Sequence, residues 1–579
     1  MVWGRVGLAG VVAVAIAAAG CGGGSNNKLT PNASTTGTGT TANGAFLGKG
    51  GEEASAGSVA DYQPTGQLVA DDGFRPDKNG FPFENYGNDK NPTNLGPAQV
   101  QQLFGDQVCA SGSGDSCQLT PPAQQWMDEA NKSMAGGHCE GFSVAALRLF
   151  KGSLKSDEFG ANDPFAFQLG VPIQAEIAKG FVTQDFPSVR SAQVHGTPTQ
   201  ILDKLIEVLK SKSEFYTVGI YRSDGQGGRT GGHAVTPYAV EDKGGGKMNL
   251  LIYDNNYPGK TRVIEFDRNA DTWSYTAQTN PSDPAQEYKG DAQTNTIELD
   301  PETPGEGQQP CPFCEGQPGG GGSKGSKGTV LPSNEQYNEI SLEADPVNHA
   351  HLLLTDDQGH KTGYDNGHLV EDIPGSKAIF ARADRTWESS PEPSYRVPVG
   401  TKVTITVDGS NLKQEDTENI TLVGPGTDAS VDEMKMSPGQ KDELTLNGDG
   451  SGLTLKTDPN QTEAPSLAVG FSSPGPDYGF AIAPKDLAGG SQIALNLDQK
   501  AGQLTVDTAG TQGNGTYAVA VVRLTEQGTE KFKHDNLQLA GGDTATLDYS
   551  AFTKVGEPIK LDIAGNGQSR SEELTPDQG

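Results

Sequence analysis

A thiol nucleophile needs three things: a cysteine, a base within hydrogen-bond reach, and a third group that orients the base. This 579-residue chain offers them in that order. Cys139 lies in the stretch Gly136-Gly137-His138-Cys139-Glu140-Gly141-Phe142-Ser143. A turn of small residues there delivers the cysteine to the start of an expected helix, whose unpaired N–H groups and dipole favour a thiolate. The bland alternative is a buried structural cysteine or half of a disulfide. His233 is the candidate base and Asp254 the candidate orienting group, with Asn255 second in line for that role. His138, next to the cysteine, is set aside, because adjacent residues on a helix point about 100° apart.

The elements that must position these residues follow from hydrophobic periodicity. Phe142, Ala145, Ala146, Leu149 and Phe150 fall on one face of a helix that begins at the cysteine. Residues 94–104 read as a short helix with Pro97 in its first turn, and residues 122–134 as a second. Thr197-Pro198-Thr199-Gln200 has the spacing of a capping box, followed by the stripe Ile201, Leu202, Leu205, Ile206 and Leu209. The period then changes to two. Strands are expected over 215–222, 233–240 and 248–254, and a hairpin over 261–266 and 272–276. If the second and third are antiparallel neighbours, His233 at the start of one lies beside Asp254 at the end of the other.

Gly137-His138-Cys139-Glu140-Gly141-Phe142-Ser143 resembles the nucleophile region of papain-like cysteine peptidases, where a Gly-x-Cys precedes Phe-Ser at the same distance. Gly232-His233-Ala234-Val235 resembles the family's histidine strand, and Ile252-Tyr253-Asp254-Asn255 its Asn/Asp strand. The resemblance covers about residues 72–300. It implies a Cys139–His233–Asp254 triad, a protein or peptide substrate and no cofactor. Two positions depart from the family. Glu140 stands where a tryptophan follows the nucleophile, and Ser133 where a glutamine holds the oxyanion. Asn131 and Gln125 lie nearby and could donate instead; such a donor contributes about 3 kcal/mol to the barrier. Transglutaminase- or amidase-type acyl transfer is the runner-up chemistry, and a surface binding or adhesion module with a degenerate cleft is the alternative outside enzymes.

Composition bounds the setting. The formal net charge of −31 argues against nucleic acid as a partner and fits a soluble exported protein. Residues 1–20 read as a short secretory signal, and Ala18-Ala19-Gly20-Cys21 resembles the bacterial lipobox. That resemblance implies lipidation of Cys21 and attachment to the extracytoplasmic face of the bacterial cell membrane. Besides Cys21 and Cys139 there remain Cys109, Cys117, Cys311 and Cys314. The simplest pairing is Cys109 with Cys117 and Cys311 with Cys314; the other two connectivities stay open. Cys311 and Cys314 have the spacing of a zinc half-site, but no second half-site or histidine pair accompanies them, so no metal is expected.

The expected fold class is an α+β papain-like domain, helices then antiparallel sheet, followed by two all-β sandwich domains. The expected division is a signal over 1–20, a flexible stalk over 21–71, the papain-like domain over 72–300 and a Gly/Pro-rich linker over 301–330. Two sandwiches follow, over 331–425 and 426–566, and a disordered tail over 567–579.

Overall fold

The computed structural model describes residues 61–577 apart from the segments 224–228, 278–284, 316–327, 381–391, 459–463 and 553–555 and residues 486 and 566. The expected signal and the lipidation site at Cys21 lie outside the described residues.

The first unit carries seven helices among the described residues: α1 (Pro76–Asn79), α2 (Pro97–Phe104), α3 (Pro121–Ser133), α4 (Cys139–Lys151), α5 (Val171–Val182), α6 (Pro187–Arg190) and α7 (Pro198–Ser211). Its strands are β1 (Gln67–Asp71), a small hairpin of β2 (Cys109–Ser111) and β3 (Gln118–Leu119), then β4 (Tyr216–Ser223), β5 (Arg229–Gly244), β6 (Lys247–Tyr253), β7 (Thr261–Asp267), β8 (Thr272–Ala277), β9 (Gln286–Gly290) and β10 (Ile297–Pro301). An antiparallel half-barrel runs in the order β10-β4-β5-β6-β7-β8-β9, and β1 pairs with the outer half of the long β5. The capping box forms at α7: Thr197 N–H donates to Gln200 Oε1 at 3.0 Å, and Gln200 N–H to Thr197 Oγ1 at 3.5 Å. Ile201, Leu202, Leu205 and Leu209 then bury their stripe against the sheet, each contributing roughly 1.5–3 kcal/mol.

Helix α4 packs chiefly on α5. A Cβ at Gly141 would lie 1.9 Å from the Ile177 carbonyl oxygen, and one at Gly180 would lie 3.0 Å from the Gly141 oxygen. Two glycines therefore face each other where the helices cross, and the backbones touch. Gly137, at φ +155°, ends the turn before α4, and a side chain there would meet the Asn85 amide at 2.9 Å.

Among the described residues, the second unit is a 20-stranded sheet folded into a nearly closed barrel, running from Tyr337–Glu343 to Gln568–Pro576. From residue 416 on, successive hairpins alternate between its two layers. The hairpin Asp416–Gly424/Thr427–Met436 lies in one layer and Lys441–Leu446/Gly452–Lys456 in the other. Ser466–Phe471 returns to pair with Thr427–Met436, and the scheme continues to the last strand. That strand joins the layers, pairing with Ile559–Gly565 on one side and Gly528–Ala540 on the other. One apolar core runs between the layers from Ile340 to Leu574.

This architecture overturns the expected fold class. Two sandwiches would need two inter-layer cores; among the described residues one continuous core fills the space between the layers, and the expected boundary at 425/426 falls in a tight turn where Gly424 pairs with Thr427. Period-two alternation reports which face of a strand is buried but not which strand is its partner. The first unit is not helices followed by sheet either, since β1 precedes the helices and shares β5 with β6. Two further expectations change with it. The stalk expected over 21–71 contains β1. The tail expected over 567–579 contains the closing strand, held by backbone pairing on both sides although Leu574 is its single buried side chain.

The segment expected as a linker is a packed joint at its near end. Phe313 is buried between Phe104 of α2, at 5.1 Å, and Trp126 of α3, at 5.3 Å between ring centroids. Its carbonyl accepts the Gly426 N–H of the second unit at 2.9 Å. Helix α3 lies across that unit's outer face, where Gly470 leaves room for Pro121.

Candidate active site

Cys139 is the first residue of α4. Its Sγ accepts a hydrogen bond from the Ala234 N–H of β5 at 3.3 Å. Strands β5 and β6 are antiparallel neighbours with Thr236 opposite Tyr253. His233 and Asp254 therefore meet at one end of the pair, with His233 Nε2 2.9 Å from Asp254 Oδ1. The other ring nitrogen, Nδ1, has no hydrogen-bond partner among the described residues, and Cys139 is one of the groups that act on the imidazole. Cys139, His233 and Asp254 each have 0% of their surface exposed.

The electrostatics are those of a buried ion pair. Burial on its own would depress the imidazole. The Asp254 charge, the Asp254 hydrogen bond and Cys139 outweigh it and hold His233 up at about 10. Burial likewise pushes Asp254 up, and the His233 charge and the donors around the carboxylate overcome it, so Asp254 stays below the usual carboxylate range. Those donors are His233 and the Asn256 N–H on Oδ1, the latter at 2.9 Å, and the Tyr275 hydroxyl on Oδ2 at 2.6 Å.

Asn255 reaches the site in another role than orienting the imidazole. Its Nδ2 donates to the carbonyls of Cys139 and Ala234, each at 3.1 Å, and so ties the start of α4 to β5. The Asn255 carbonyl accepts the Asn85 N–H at 3.0 Å, and Asn85 Oδ1 accepts the His138 N–H at 2.7 Å. His138 is a structural residue: its ring meets the Tyr86 carbonyl at 2.6 Å and Asn94 Oδ1 at 2.9 Å, and burial lowers it to about 4. Glu140, at the position where papain-like peptidases have a tryptophan, is buried and accepts the Thr217 hydroxyl at 2.8 Å, pinning α4 to β4.

The oxyanion donors suggested by the sequence are engaged elsewhere. The Asn131 amide both accepts from the Leu95 N–H at 2.9 Å and donates to the Leu95 carbonyl at 3.0 Å. Gln125 donates to Glu129 at 3.1 Å, and the Ser133 hydroxyl to the Ala130 carbonyl at 2.8 Å. The Cys139 N–H, in the first turn of α4, has no acceptor within its helix. Cys109 is bonded to Cys117 and Cys311 to Cys314, and Cys139 is the free cysteine of the described residues. No cluster of three or more metal-ligating side chains occurs among the described residues.

Sequence reasoning missed Tyr275 and Arg262. Tyr275 alternates with Trp273 and Ala277 as a buried position of β8, which marks it as core. Only its hydroxyl contact with Asp254 shows otherwise.

No helix among the described residues is long and apolar enough to cross a membrane. Compared with known protein families and with curated proteins, the chain matches none. Among solved structures, a crystal structure of the vaccine antigen transferrin binding protein B from Haemophilus parasuis Hp5, in a tryptophan-to-alanine mutant, aligns at 10% identity with a TM-score of 0.09. That alignment covers 56% of this chain and 75% of the antigen, and at such a TM-score it carries no argument about fold or function.

Proposed function

We propose that the chain is an exported thiol hydrolase with papain-like chemistry, acting on peptide or amide bonds and held at the extracytoplasmic face of the membrane through a lipid on Cys21. The observation that carries this reading is the buried His233–Asp254 pair, with Cys139 held by the N–H of Ala234, the residue next to His233, and acting on the imidazole. Cys139 attacks the carbonyl carbon as thiolate while its proton resides on His233. The C–N bond breaks as His233 gives that proton to the leaving nitrogen. Water then attacks the thioester, His233 takes a proton from it, the C–S bond breaks and Cys139 is regenerated. An amine in place of water gives acyl transfer. This reading assigns the developing oxyanion to the Cys139 N–H, which as the first of its helix has no acceptor within it.

A second reading has its own support: complete burial of the three residues suits a binding module that keeps the network as a structural joint. Alkylation with iodoacetamide separates the two. The enzyme reading expects Cys139 to be modified in the folded, full-length protein, faster than in His233→Ala. A Cys139 that reacts only when the protein is unfolded would end that reading. Incubation with a protein substrate and a primary amine then distinguishes chain cleavage from amine incorporation.

A further inference from the structure

Asp254 is held on the side away from His233 by residues that no Cys–His–Asp triad requires. The Tyr275 hydroxyl is the donor to Oδ2, at 2.6 Å. Behind it stands Arg262 of β7, whose Nε lies 3.4 Å from the Tyr275 oxygen. The Arg262 guanidinium carbon is 5.7 Å from the centre of the Tyr275 ring and 4.5 Å from that of Tyr257. Strands β6, β7 and β8 are neighbours, and they bring together the carboxylate of Asp254, just past the end of β6, the cation of Arg262 and the phenol of Tyr275.

We infer that Tyr275, backed by Arg262, is a positioning residue that keeps Asp254 ionised and so sets how far the pH can fall before the His233–Asp254 pair is lost. A carboxylate with no exposed surface needs donors on both oxygens. Oδ1 has two, His233 and the Asn256 N–H, while Oδ2 accepts from the Tyr275 hydroxyl. The phenol fixes the rotation of the carboxylate, presenting Oδ1 to Nε2, and its hydrogen bond favours the anion over the acid. Tyr275 remains a donor throughout, because burial and the adjacent Asp254 charge keep its own proton on far above neutral pH. The Arg262 charge acts on Asp254 and on Tyr275 together. The other titratable groups facing the pair are Cys139, Tyr253 and Tyr257, with Glu84 acting on Tyr257. This inference rests on the reading of Asp254 as the orienting carboxylate, but its test does not need Cys139 to react.

The measurement is a pH titration of the full-length chain with its histidine rings isotopically labelled. The chain has eight histidines, and His233 is assigned by the signal lost in His233→Gln. In the wild type, the His233 ring reports protonation of Asp254 as a transition on the acid side. Tyr275→Phe is expected to raise that transition by about one pH unit, the size of one lost hydrogen bond to a charged group. Arg262→Gln moves it the same way by less, and supplies the answer should Tyr275→Phe fail to fold. Where Cys139 proves reactive, the acid limb of its alkylation rate shifts by the same amount with little change above it. A folded variant whose His233 transition coincides with the wild type overturns the inference, even if Cys139 alkylates in a His233-dependent manner. Absence of alkylation with a shifted transition would instead remove the hydrolase reading and leave this one standing.

Discussion

Gly141→Ala is the most direct probe of how Cys139, the proposed nucleophile, is held. Helix propensity alone predicts that the change stabilises the chain by up to about 1 kcal/mol, since glycine is a poor helix residue. The structure predicts the reverse. The added methyl would lie 1.9 Å from the Ile177 carbonyl oxygen and 3.0 Å from the Phe181 nitrogen, both backbone atoms that cannot turn aside. Reaching ordinary contact near 3.4 Å requires α4 and α5 to separate by more than about 1 Å. Overpacking of this kind costs about 1–3 kcal/mol, occasionally more, and separation also loosens the buried face of α4. We expect a net loss of about 2 kcal/mol in urea unfolding. Cys139 lies two residues away on the same helix, and a displacement near 1 Å at a reacting atom costs on the order of 100-fold in rate. Iodoacetamide alkylation of folded Gly141→Ala should therefore slow by that order while His233→Ala on the variant background adds little. Unchanged or increased stability would refute the argument that backbone contact at the two glycines fixes Cys139.

Two further outcomes are expected. The folded value of His233 lies above the 6.5 of a free imidazole, so its support of the fold is complete below about pH 6.5 and is lost as pH rises towards 10. The folded value of Asp254 lies below that of a free carboxyl, so its support is present above about pH 4 and is lost as pH falls through its own lowered value. Thermal midpoints across this range should decline on the alkaline side in the wild type; Asp254→Asn should flatten that decline and cost about 3–5 kcal/mol near neutrality. Asp428, buried at the face where α3 meets the second unit, has an oxygen without a hydrogen bond, and burial pushes it up to about 7. A carboxyl raised in the folded state penalises folding as pH climbs past its ordinary value, so Asp428→Asn should raise the thermal midpoint at pH 8 and leave it unchanged at pH 4; equal effects at both would show that the carboxyl is not the cause.

How much of this was legible in the sequence depends on whether the information was local. The capping box at Thr197 and the stripe of α7 involve residues within one helix, and their spacing sufficed. The meeting of His233 and Asp254 required one non-local assumption, that two consecutive strands pair. The role of Asn255 was misjudged because an amide beside the carboxylate suggested an orienting group, whereas its geometry bridges two carbonyls. Asn131 was out of reach of sequence reasoning: its proximity in the chain to Cys139 says nothing of Leu95, the residue its amide binds. The second unit failed for the same reason on a larger scale, because a strand there pairs with a hairpin that lies beyond the next one in sequence.

That skipping pattern has a consequence for how the chain can change length. Each hairpin leans on the one two places before it, so the layers keep count of hairpins modulo two. Loss or insertion of a single hairpin would send every later one to the opposite layer and separate it from its pairing partner. Loss or insertion of two leaves every partner in place and shortens or lengthens each layer by two strand widths, about 10 Å. The second unit is thus a beam whose length is quantised in pairs of hairpins, with one terminal strand, Gln568–Pro576, serving as the seal whatever the count.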